Sequence, residues 1–299
     1  MIEAELERLA ANWRGFWPEA DVGAMAADVR RRLAAAVERW DLEGTLALGG
    51  GEVALVCTAA AARPVVLKLH PRGHREVGFL AAESIALEAW RESAAVPELL
   101  ASADDRLTLL LECLEPGTQL DATGIGWEQR LRILGELAAR LHAHGSQAAG
   151  IPTLAEYGAD WRRHLAPHPA LLADLDELLA TSEREALLHC DLHGGNALEH
   201  HGSWLAIDPH AVRGDPHADV WALIDPLAPA LPEGAAAAPA ARRAVEIYAT
   251  AAQLDPIRAG RWARVRAAAE AESLAASGEL SAGERDWTDR LRRFSAALG

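Results

Sequence analysis

The spacing of apolar residues divides this chain into a mixed first part and a mainly helical remainder. Over about the first forty residues, apolar side chains recur at three- and four-residue intervals, the period of an amphipathic helix. These residues are Met25, Val29, Leu33, Val37 and Trp40. After Gly44 the helical period gives way to short apolar and β-branched runs, which predict strands.

Apolar runs separated by turn residues predict a small antiparallel sheet crossed by one helix. The runs are Val53–Thr58, Val65–Leu69, Glu98–Ala101 and Leu107–Glu112. The Arg63-Pro64 pair predicts the turn between the first two runs, and the crossing helix is predicted from about His74 to Ser93. We therefore expect residues 1–113 to form a small, β-rich N-terminal lobe.

Helical periodicity dominates after the Pro116-Gly117 dipeptide, which predicts a loop. The predicted helices are Trp127–His144, Arg162–Leu179, His217–Leu227, Ala238–Leu254, Pro256–Ser273 and Ala282–Leu298. Between them, Ala197–Glu199 and Trp204–Ile207 predict a short hairpin. Residues 114–299 are thus expected to form a larger, helical C-terminal lobe, which makes the fold class α+β.

Charge and composition narrow the classes of partner. The 299 residues include 29 Lys and Arg against 44 Asp and Glu, a formal net charge of −15. A protein that follows nucleic-acid phosphates is expected to carry a basic patch, so this balance argues against such a role. An acidic cleft would concentrate a cationic small molecule, although solubility alone also explains the charge.

The cysteines and the N-terminus predict a cytoplasmic protein. Cys57, Cys113 and Cys190 are scattered and form no CxxC pair, which fits a reducing compartment. The acidic start of the chain lacks the basic and apolar regions of a signal peptide. The longest apolar stretch, about Val53 to Leu69, is interrupted by charged residues and proline, so no membrane partner is expected.

The segment His189–Asn196, followed by Asp208, carries the clearest chemical pattern. It matches the kinase pattern H-R-D-L-x-x-x-N except at the Arg position, where Cys190 stands. Asp191 is suited to orient and deprotonate an attacking hydroxyl, and Asn196 and Asp208 are suited to ligate Mg²⁺. Each alone would be an ordinary turn residue, but the ordered set favours phosphoryl transfer.

A lysine inside an apolar strand supports this interpretation. Lys68 lies within the run Val65–Leu69, where a charge requires a partner. On the following helix, Glu83 shares the apolar face, so it is the predicted partner. The alternative is an edge-strand lysine that extends to water.

A glycine-rich segment precedes Lys68 and approximates a phosphate-covering loop. Gly49-x-Gly51-x-x-Ala54-x-Val56 follows the pattern G-x-G-x-x-G-x-V, with Ala at the third glycine. We therefore expect Gly50 and Gly51 to contact the nucleotide. The P-loop pattern G-x-x-x-x-G-K-[ST] does not occur in the sequence.

The histidines around Asp191 raise a second possibility. His189-x-Asp191-x-His193 has the spacing of metal ligands, which suggests a metal-dependent hydrolase. No HExxH motif or Cys/His cluster supplies the remaining ligands, so most of these histidines are expected to form hydrogen bonds or to lie at the surface.

Together these segments resemble the aminoglycoside O-phosphotransferases and, within that kinase-like superfamily, the streptomycin 6-kinases. The resemblance extends over nearly the whole length and rests on Val37–Leu42, Leu188–Asn196, Trp204–Pro209, Gly214–Asp219 and Leu254–Trp262. It implies a bilobal protein-kinase-like fold that binds ATP and Mg²⁺ between its lobes and transfers the γ-phosphate to a hydroxyl.

The resemblance also implies roles for individual residues. It makes Asp191 the catalytic base, Asn196 and Asp208 the magnesium ligands, Lys68 and Glu83 the phosphate clamp, Glu112 to Leu114 the adenine hinge, and Asp219 the brace of the catalytic loop. Two positions depart from the family pattern, Cys190 before the catalytic Asp and His210 after Asp208-Pro209. The acids proposed to meet a cationic acceptor are Asp225, Glu199, Glu270 and Glu272.

The leading hypothesis is an ATP- and Mg²⁺-dependent kinase of an aminoglycoside, such as streptomycin, or of a related small metabolite. One alternative is a catalytically silent kinase-like binding protein, which would have no need of Lys68, Asp191, Asn196 and Asp208 together. The other is the metal-dependent hydrolase. The acceptor and the choice between ATP and GTP stay open at this point.

Overall fold

A β-sheet part is followed by a helical part, in the order that the apolar pattern predicts. The computed structural model describes residues 1–49, 51–104, 106–225, 228 and 231–299. The first part contains helices α1 (Ile2–Phe16), α2 (Val22–Arg39) and α3 (Val77–Trp90), and strands β1 (Glu43–Ala47), β2 (Leu55–Ala60), β3 (Pro64–Leu69), β4 (Leu99–Ala103) and β5 (Thr108–Glu112). These strands form an antiparallel sheet in the order β1-β2-β3-β5-β4.

The two faces of this sheet have different partners because side chains alternate along each strand. One face, including Leu55, Leu67 and Leu69, packs in a buried apolar cluster with α1 and α2. Lys68 lies between Leu67 and Leu69 and therefore projects from the other face. The alternation thus separates a helix-covered face from the face that carries the lysine.

Helices and short β pairs make up the second part. These are β6 (Pro116–Gln119), α4 (Trp127–His142), α5 (Leu154–Tyr157), α6 (Ala159–Leu165), α7 (Pro169–Ala180), β7 (Ala186–Leu188), β8 (Ala197–His200), β9 (Ser203–Ala206), β10 (Val212–Gly214), α8 (Ala237–Ala251), α9 (Pro256–Ala276) and α10 (Ala282–Ala297). Strand β8 pairs with β6 and β9, and β7 pairs with β10. The catalytic-loop segment therefore lies between β7 and β8.

The structure corrects three of the predicted elements. The predicted helix Arg162–Leu179 is interrupted, because α6 ends before Pro167 and α7 begins at Pro169. In place of a helix, the described part of His217–Leu227 contains the end of one short 3₁₀ turn, Pro216–Ala218, and a second, Trp221–Leu223. Its end, Leu227, lies outside the described residues. The predicted Pro116-Gly117 loop is the start of β6.

A large apolar core holds the helical part together. Fully buried Trp262 and Tyr248 lie in this core with side chains of α4. Helices α4 and α8 approach closely at Gly135, where an added Cβ would lie 2.6 Å from the Tyr248 carbonyl oxygen. Among the described residues, no helix is both long and apolar enough to cross a membrane.

Candidate active site

A buried carboxylate fixes the backbone that leads into the catalytic loop. Asp219 accepts hydrogen bonds from the N–H groups of His189 (3.0 Å) and Cys190 (2.9 Å), and His142 Nε2 lies 3.0 Å from it. Burial works to raise the pKa of Asp219, but the His142 hydrogen bond and the charges of His142 and His189 outweigh it and lower the pKa. The backbone of the loop is therefore held by the ionised carboxylate of Asp219, which has no solvent exposure.

Two residues of the site adopt a left-handed backbone conformation. Cys190 has φ +61° and Asp208 has φ +58°, values that non-glycine residues rarely adopt. Such strained positions concentrate at functional sites, where the surrounding structure holds them. Here the conformations occur immediately before Asp191 and at Asp208 itself.

Asp191 and Asn196 form a hydrogen-bonded pair within the loop. The Asn196 Nδ2 group donates to the Asp191 carboxylate at 2.9 Å and to its backbone carbonyl at 3.0 Å. The carboxylate keeps 21% of its side-chain surface exposed, so a substrate can reach it. With its nitrogen engaged, the Asn196 amide presents its oxygen to another ligand.

Lys68 joins the two parts of the protein through carboxylates on each side. Its Nζ lies 2.8 Å from a Glu83 oxygen on α3 and 2.5 Å from Asp208 Oδ1 in the second part. Lys68 is 5% exposed and Glu83 is 2% exposed. Burial works to lower the pKa of Lys68, but Asp208 and Glu83 outweigh it and raise the pKa, so the ammonium stays charged.

The two carboxylates of this cluster are held in the ionised form. Burial works to raise the pKa of Glu83 and of Asp208, but Lys68 outweighs it and lowers both. Lys68 Nζ lies 2.8 Å from each Glu83 oxygen, and one of these oxygens, Oε2, also lies 2.5 Å from His70 Nε2. Sequence reasoning missed His70, although it follows Lys68 by two residues and so projects from the same side of the strand.

In the predicted hinge, one backbone N–H group is hydrogen-bonded and another has no partner. The Glu112 N–H donates to the Glu98 carbonyl at 3.0 Å, and His200 Nε2 lies 3.4 Å from the Glu112 carboxylate. Within the described part of the chain, the Leu114 N–H has no hydrogen-bond partner. Leu114 therefore offers the donor that an adenine ring requires.

The glycine-rich segment is only partly described. Gly50 lies outside the described residues. Gly51 is described, and its carbonyl accepts a hydrogen bond from Arg8 of α1. The sequence pattern indicates the loop but gives no sign of this contact with α1.

Two aromatic side chains flank Arg266, whose charge acts on Glu270, one of the predicted acceptor acids. Arg266 on α9 lies 4.8 Å from the ring centre of Trp161 and 5.3 Å from that of Trp221. Tyr157 meets the edge of Trp161 with ring centres 5.5 Å apart. Partial burial raises the pKa of Glu270, Arg266 opposes this, and the negative charge of Asp191 adds to it. Glu270 is thus electrostatically coupled to the proposed base.

The other predicted acceptor acids lie in different surroundings. Glu199 stands in β8 opposite Trp204, within the sheet next to the hinge. Asp225 is 4% exposed and lines a small cavity that also contains Arg290. Glu272 pairs with Arg292 at 3.2 Å. The charge of Glu270 interacts with that of Asp191.

The histidines of the loop form hydrogen bonds with backbone groups in and next to the loop. His189 Nδ1 accepts from the Asp191 N–H at 3.3 Å while its Nε2 lies 3.0 Å from the Ile207 carbonyl oxygen. His193 Nδ1 accepts from the Gly195 N–H at 3.2 Å. No group of three or more His, Cys, Asp or Glu in the described ranges has the arrangement of a metal site. The donor set therefore does not fit the zinc centre of a metal-dependent hydrolase.

Sequence comparisons place the chain among small-molecule kinases. Residues 39–278 match the family described as aminoglycoside/hydroxyurea antibiotic resistance kinase. A hydroxyurea phosphotransferase from Kitasatospora aureofaciens is 32% identical over 278 residues, covering 85% of this chain and 76% of that protein. A streptomycin 6-kinase from Streptomyces griseus is 28% identical over 250 residues, covering 78% and 79%.

The fold has a solved counterpart with bound ligands. The amicoumacin kinase hAmiN, in complex with AMP-PNP, Ca²⁺ and Ami, superposes with a TM-score of 0.62 at 18% sequence identity. The similarity covers 89% of this chain and 92% of that chain. This likeness confirms the predicted kinase-like fold, with a β-sheet first part and a helical second part.

Proposed function

This chain belongs to the aminoglycoside/hydroxyurea antibiotic resistance kinases and is a small-molecule kinase, and from this premise we propose that it transfers the γ-phosphate of ATP to a hydroxyl of a small acceptor. We propose an aminoglycoside such as streptomycin, or a related small metabolite, as the acceptor. The observation that carries the proposal is Lys68 bound to both Glu83 and Asp208 beside a loop in which Asn196 orients Asp191.

Asp191 acts as the base in this proposal. A hydroxyl attacks phosphorus efficiently when a carboxylate both aims it and accepts its proton. The Asn196 amide already holds this carboxylate 2.9 Å away, and Asp219 holds the backbone before it. The bond from the acceptor oxygen to the γ-phosphorus forms as the bond to the bridging oxygen of ADP breaks, and the acceptor proton passes to Asp191.

Asn196 and Asp208 would hold Mg²⁺. Both present oxygen ligands, since the Asn196 nitrogen is engaged by Asp191 and one Asp208 oxygen is engaged by Lys68. One or two protein oxygens supplemented by phosphates and water suffice for Mg²⁺, so this pair fits the ion. When bound, Mg²⁺ would neutralise charge on the phosphate oxygens.

The remaining nucleotide contacts come from both parts of the protein. Lys68 meets the phosphates, and Glu83, which also contacts His70 Nε2, keeps it oriented. Leu114 donates its free N–H to the adenine ring. We place the nucleotide between residues 1–113 and residues 114–299, with Gly51 above the phosphates.

Glu270 favours a cationic acceptor. Its carboxylate, coupled to Asp191, has no hydrogen-bond or ion-pair partner within the described ranges. An ammonium or guanidinium group beside it would form a charge-assisted contact while a neighbouring hydroxyl reached Asp191. Hydroxyurea is the second candidate acceptor, because a hydroxyurea phosphotransferase is 32% identical over 85% of this chain.

Acceptor-dependent ADP release from MgATP tests the proposal. The panel contains streptomycin, other aminoglycosides, hydroxyurea and simple sugars. We expect one aminoglycoside to stimulate release well above the rate with ATP alone. Stimulation by hydroxyurea alone would support the second candidate. Nucleotide binding without stimulated release by any acceptor would favour a silent binding protein and contradict the proposal.

A further inference from the structure

Helix α1 contacts the glycine-rich segment through consecutive backbone carbonyls. Arg8 donates to the carbonyl of Gly51, Asn12 Nδ2 to that of Glu52 at 3.0 Å, and Trp13 Nε1 to that of Val53 at 2.9 Å. Arg8 and Asn12 are four residues apart, so they lie on one face of the helix. The helix thus binds the peptide backbone of this segment, and Val53 also packs against the apolar cluster to which α1 contributes.

Binding of the carbonyls determines where the following N–H groups point. In a trans peptide, the C=O of one residue and the N–H of the next point in opposite directions, and these peptides are trans. The N–H groups of Glu52, Val53 and Ala54 therefore point away from α1. Within the residues that the structure describes, none of them has a hydrogen-bond partner.

The side away from α1 is the side of the proposed nucleotide. Helix α1 packs on the sheet face that carries Leu67 and Leu69, whereas Lys68 projects from the opposite face toward Asp208. Consecutive unpaired N–H groups form an anion-binding concavity, and such groups in glycine-rich loops bind phosphates. Lys68 adds a positive charge on the same side.

We propose that α1 is a positioning element for nucleotide binding: Arg8, Asn12 and Trp13 hold the segment 51–53 so that its N–H groups face the phosphates of ATP. The inference rests on the proposed function, since it requires that the cleft binds a nucleotide. Helix α1 lies ahead of residue 39, where the match to the family begins, so the family itself does not imply this contact.

The hydrogen bonds from α1 reduce the conformational entropy that the glycine-rich segment loses when a nucleotide binds. A glycine-rich loop without contacts has to be ordered by the nucleotide, which weakens binding. Three hydrogen bonds to α1 order the backbone beforehand. The effect should therefore be seen in nucleotide affinity, while acceptor binding should be unaffected.

Calorimetric titration of AMP-PNP with Mg²⁺ into the 299-residue protein tests this inference. The double substitution Arg8→Ala/Asn12→Ala should weaken binding on the order of tenfold, from two lost hydrogen bonds. Trp13→Phe, which keeps an aromatic ring and removes the indole N–H, should weaken it about threefold. Arg8→Lys, which retains a donor, should restore most of the affinity lost in Arg8→Ala.

The matched control is Arg14→Ala, which removes the same charge from an exposed position of α1. It should bind AMP-PNP as the wild-type protein does, and the acceptor KM should stay constant throughout the series. Folded variants that bind AMP-PNP as tightly as wild type would overturn the inference alone. A wild-type protein that binds no AMP-PNP would overturn the proposed function and this inference with it.

Discussion

At the level of single residues, Asn196 orients the proposed base before any acceptor is bound. Its amide nitrogen lies 2.9 Å from an Asp191 carboxylate oxygen. Asp219 fixes the two residues that precede Asp191 through their N–H groups. Such preorganisation lowers the barrier, because the geometry need not be found during the reaction.

Asp191→Asn should lower kcat by at least about 100-fold, because the amide cannot accept the acceptor proton. The dissociation constant of AMP-PNP should stay close to that of wild type. Steady-state kinetics and calorimetry provide the two measurements. Asp289→Asn, at an exposed position of α10, is the control and should leave both values unchanged. Undiminished turnover in Asp191→Asn would contradict the assignment of the base.

Glu270→Gln should raise the KM of a cationic acceptor about tenfold, through loss of a charge-assisted contact. A neutral acceptor such as hydroxyurea should be unaffected. Because burial raises the pKa of Glu270, and the nearby Asp191 charge adds to this despite Arg266, the carboxylate ionises at a higher pH than usual. Affinity for the cation should therefore increase as the pH rises through that pKa.

Glu272→Gln is the matched control on the same helix, since the Glu272 carboxylate already pairs with Arg292 at 3.2 Å. Its acceptor KM should equal that of wild type. Equal KM values for all three proteins would show that Glu270 does not contact the acceptor.

Sequence patterns predict the site residues that belong to spaced motifs. They miss the residues that reach the site only through tertiary packing. Lys68 is recognisable as a charge within an apolar strand, and the apolar face of the next helix indicates Glu83; the two lie 2.8 Å apart. His70 and Tyr157 belong to no motif. Their places near Glu83 and Trp161 arise from tertiary packing, which local spacing does not record.

At the level of elements, Asp215 joins the turn after β10 to helix α9. Its carboxylate accepts hydrogen bonds from Arg258 Nε at 2.6 Å and from Trp262 Nε1 at 2.8 Å, both on α9. The backbone N–H of His217 donates to it as well, at 3.0 Å. Burial works to raise the pKa of Asp215, but the hydrogen bonds from His217, Trp262 and Arg258 outweigh it and lower the pKa to about 2.

The lowered pKa of Asp215 predicts a contribution to stability that acid removes. The ordinary value is 3.8, so the carboxylate binds fewer protons in the folded state than in the unfolded state. Its contribution, roughly 2 kcal/mol, is fully present above the unfolded pKa and decreases as the pH falls toward the folded pKa. Asp215→Asn lacks this contribution at every pH.

Urea unfolding of wild type and Asp215→Asn between about pH 5 and pH 3 measures this effect. The difference in free energy of unfolding should shrink as the pH falls. Asp176→Asn, which removes an exposed ion pair with Arg162, should change stability by less than about 1 kcal/mol. A difference between wild type and Asp215→Asn that is independent of pH would contradict the assigned pKa.

The elements that sequence predicts best are long and strongly periodic. Helix α4 is predicted as Trp127–His144 and observed as Trp127–His142. The prediction for Arg162–Leu179 fails because apolar spacing continues across Pro167 and Pro169, where a helix cannot. Strand β1, Glu43–Ala47, is missed because most of its residues are exposed and no alternation is visible.

At the scale of the whole molecule, the close approach of α4 and α8 leaves no room for a larger residue at Gly135 in the helical core. A Cβ at Gly135 would lie 2.6 Å from the Tyr248 carbonyl oxygen and 2.7 Å from the Ala251 Cβ. Gly135→Ala should therefore lower the free energy of unfolding by about 1–3 kcal/mol, because the backbones of α4 and α8 must move apart to admit the methyl group. Thermal or urea unfolding measures this change.

Gly78→Ala is the matched control, since Gly78 lies in α3 with nothing within 4 Å of an added Cβ. This substitution should raise the free energy of unfolding by about 0.5–1 kcal/mol through helix propensity. A destabilisation of equal size in both variants would show that the approach of α4 and α8 is not the cause.

The central claim is that the lysine–carboxylate cluster and the catalytic loop together phosphorylate a small acceptor. The most direct measurement is phosphorus NMR of the products after the wild-type protein has consumed MgATP in the presence of streptomycin and related acceptors. We expect a new phosphate monoester on an acceptor hydroxyl, formed in equal amount with ADP. Inorganic phosphate and ADP as the sole products, with every acceptor unmodified, would contradict it.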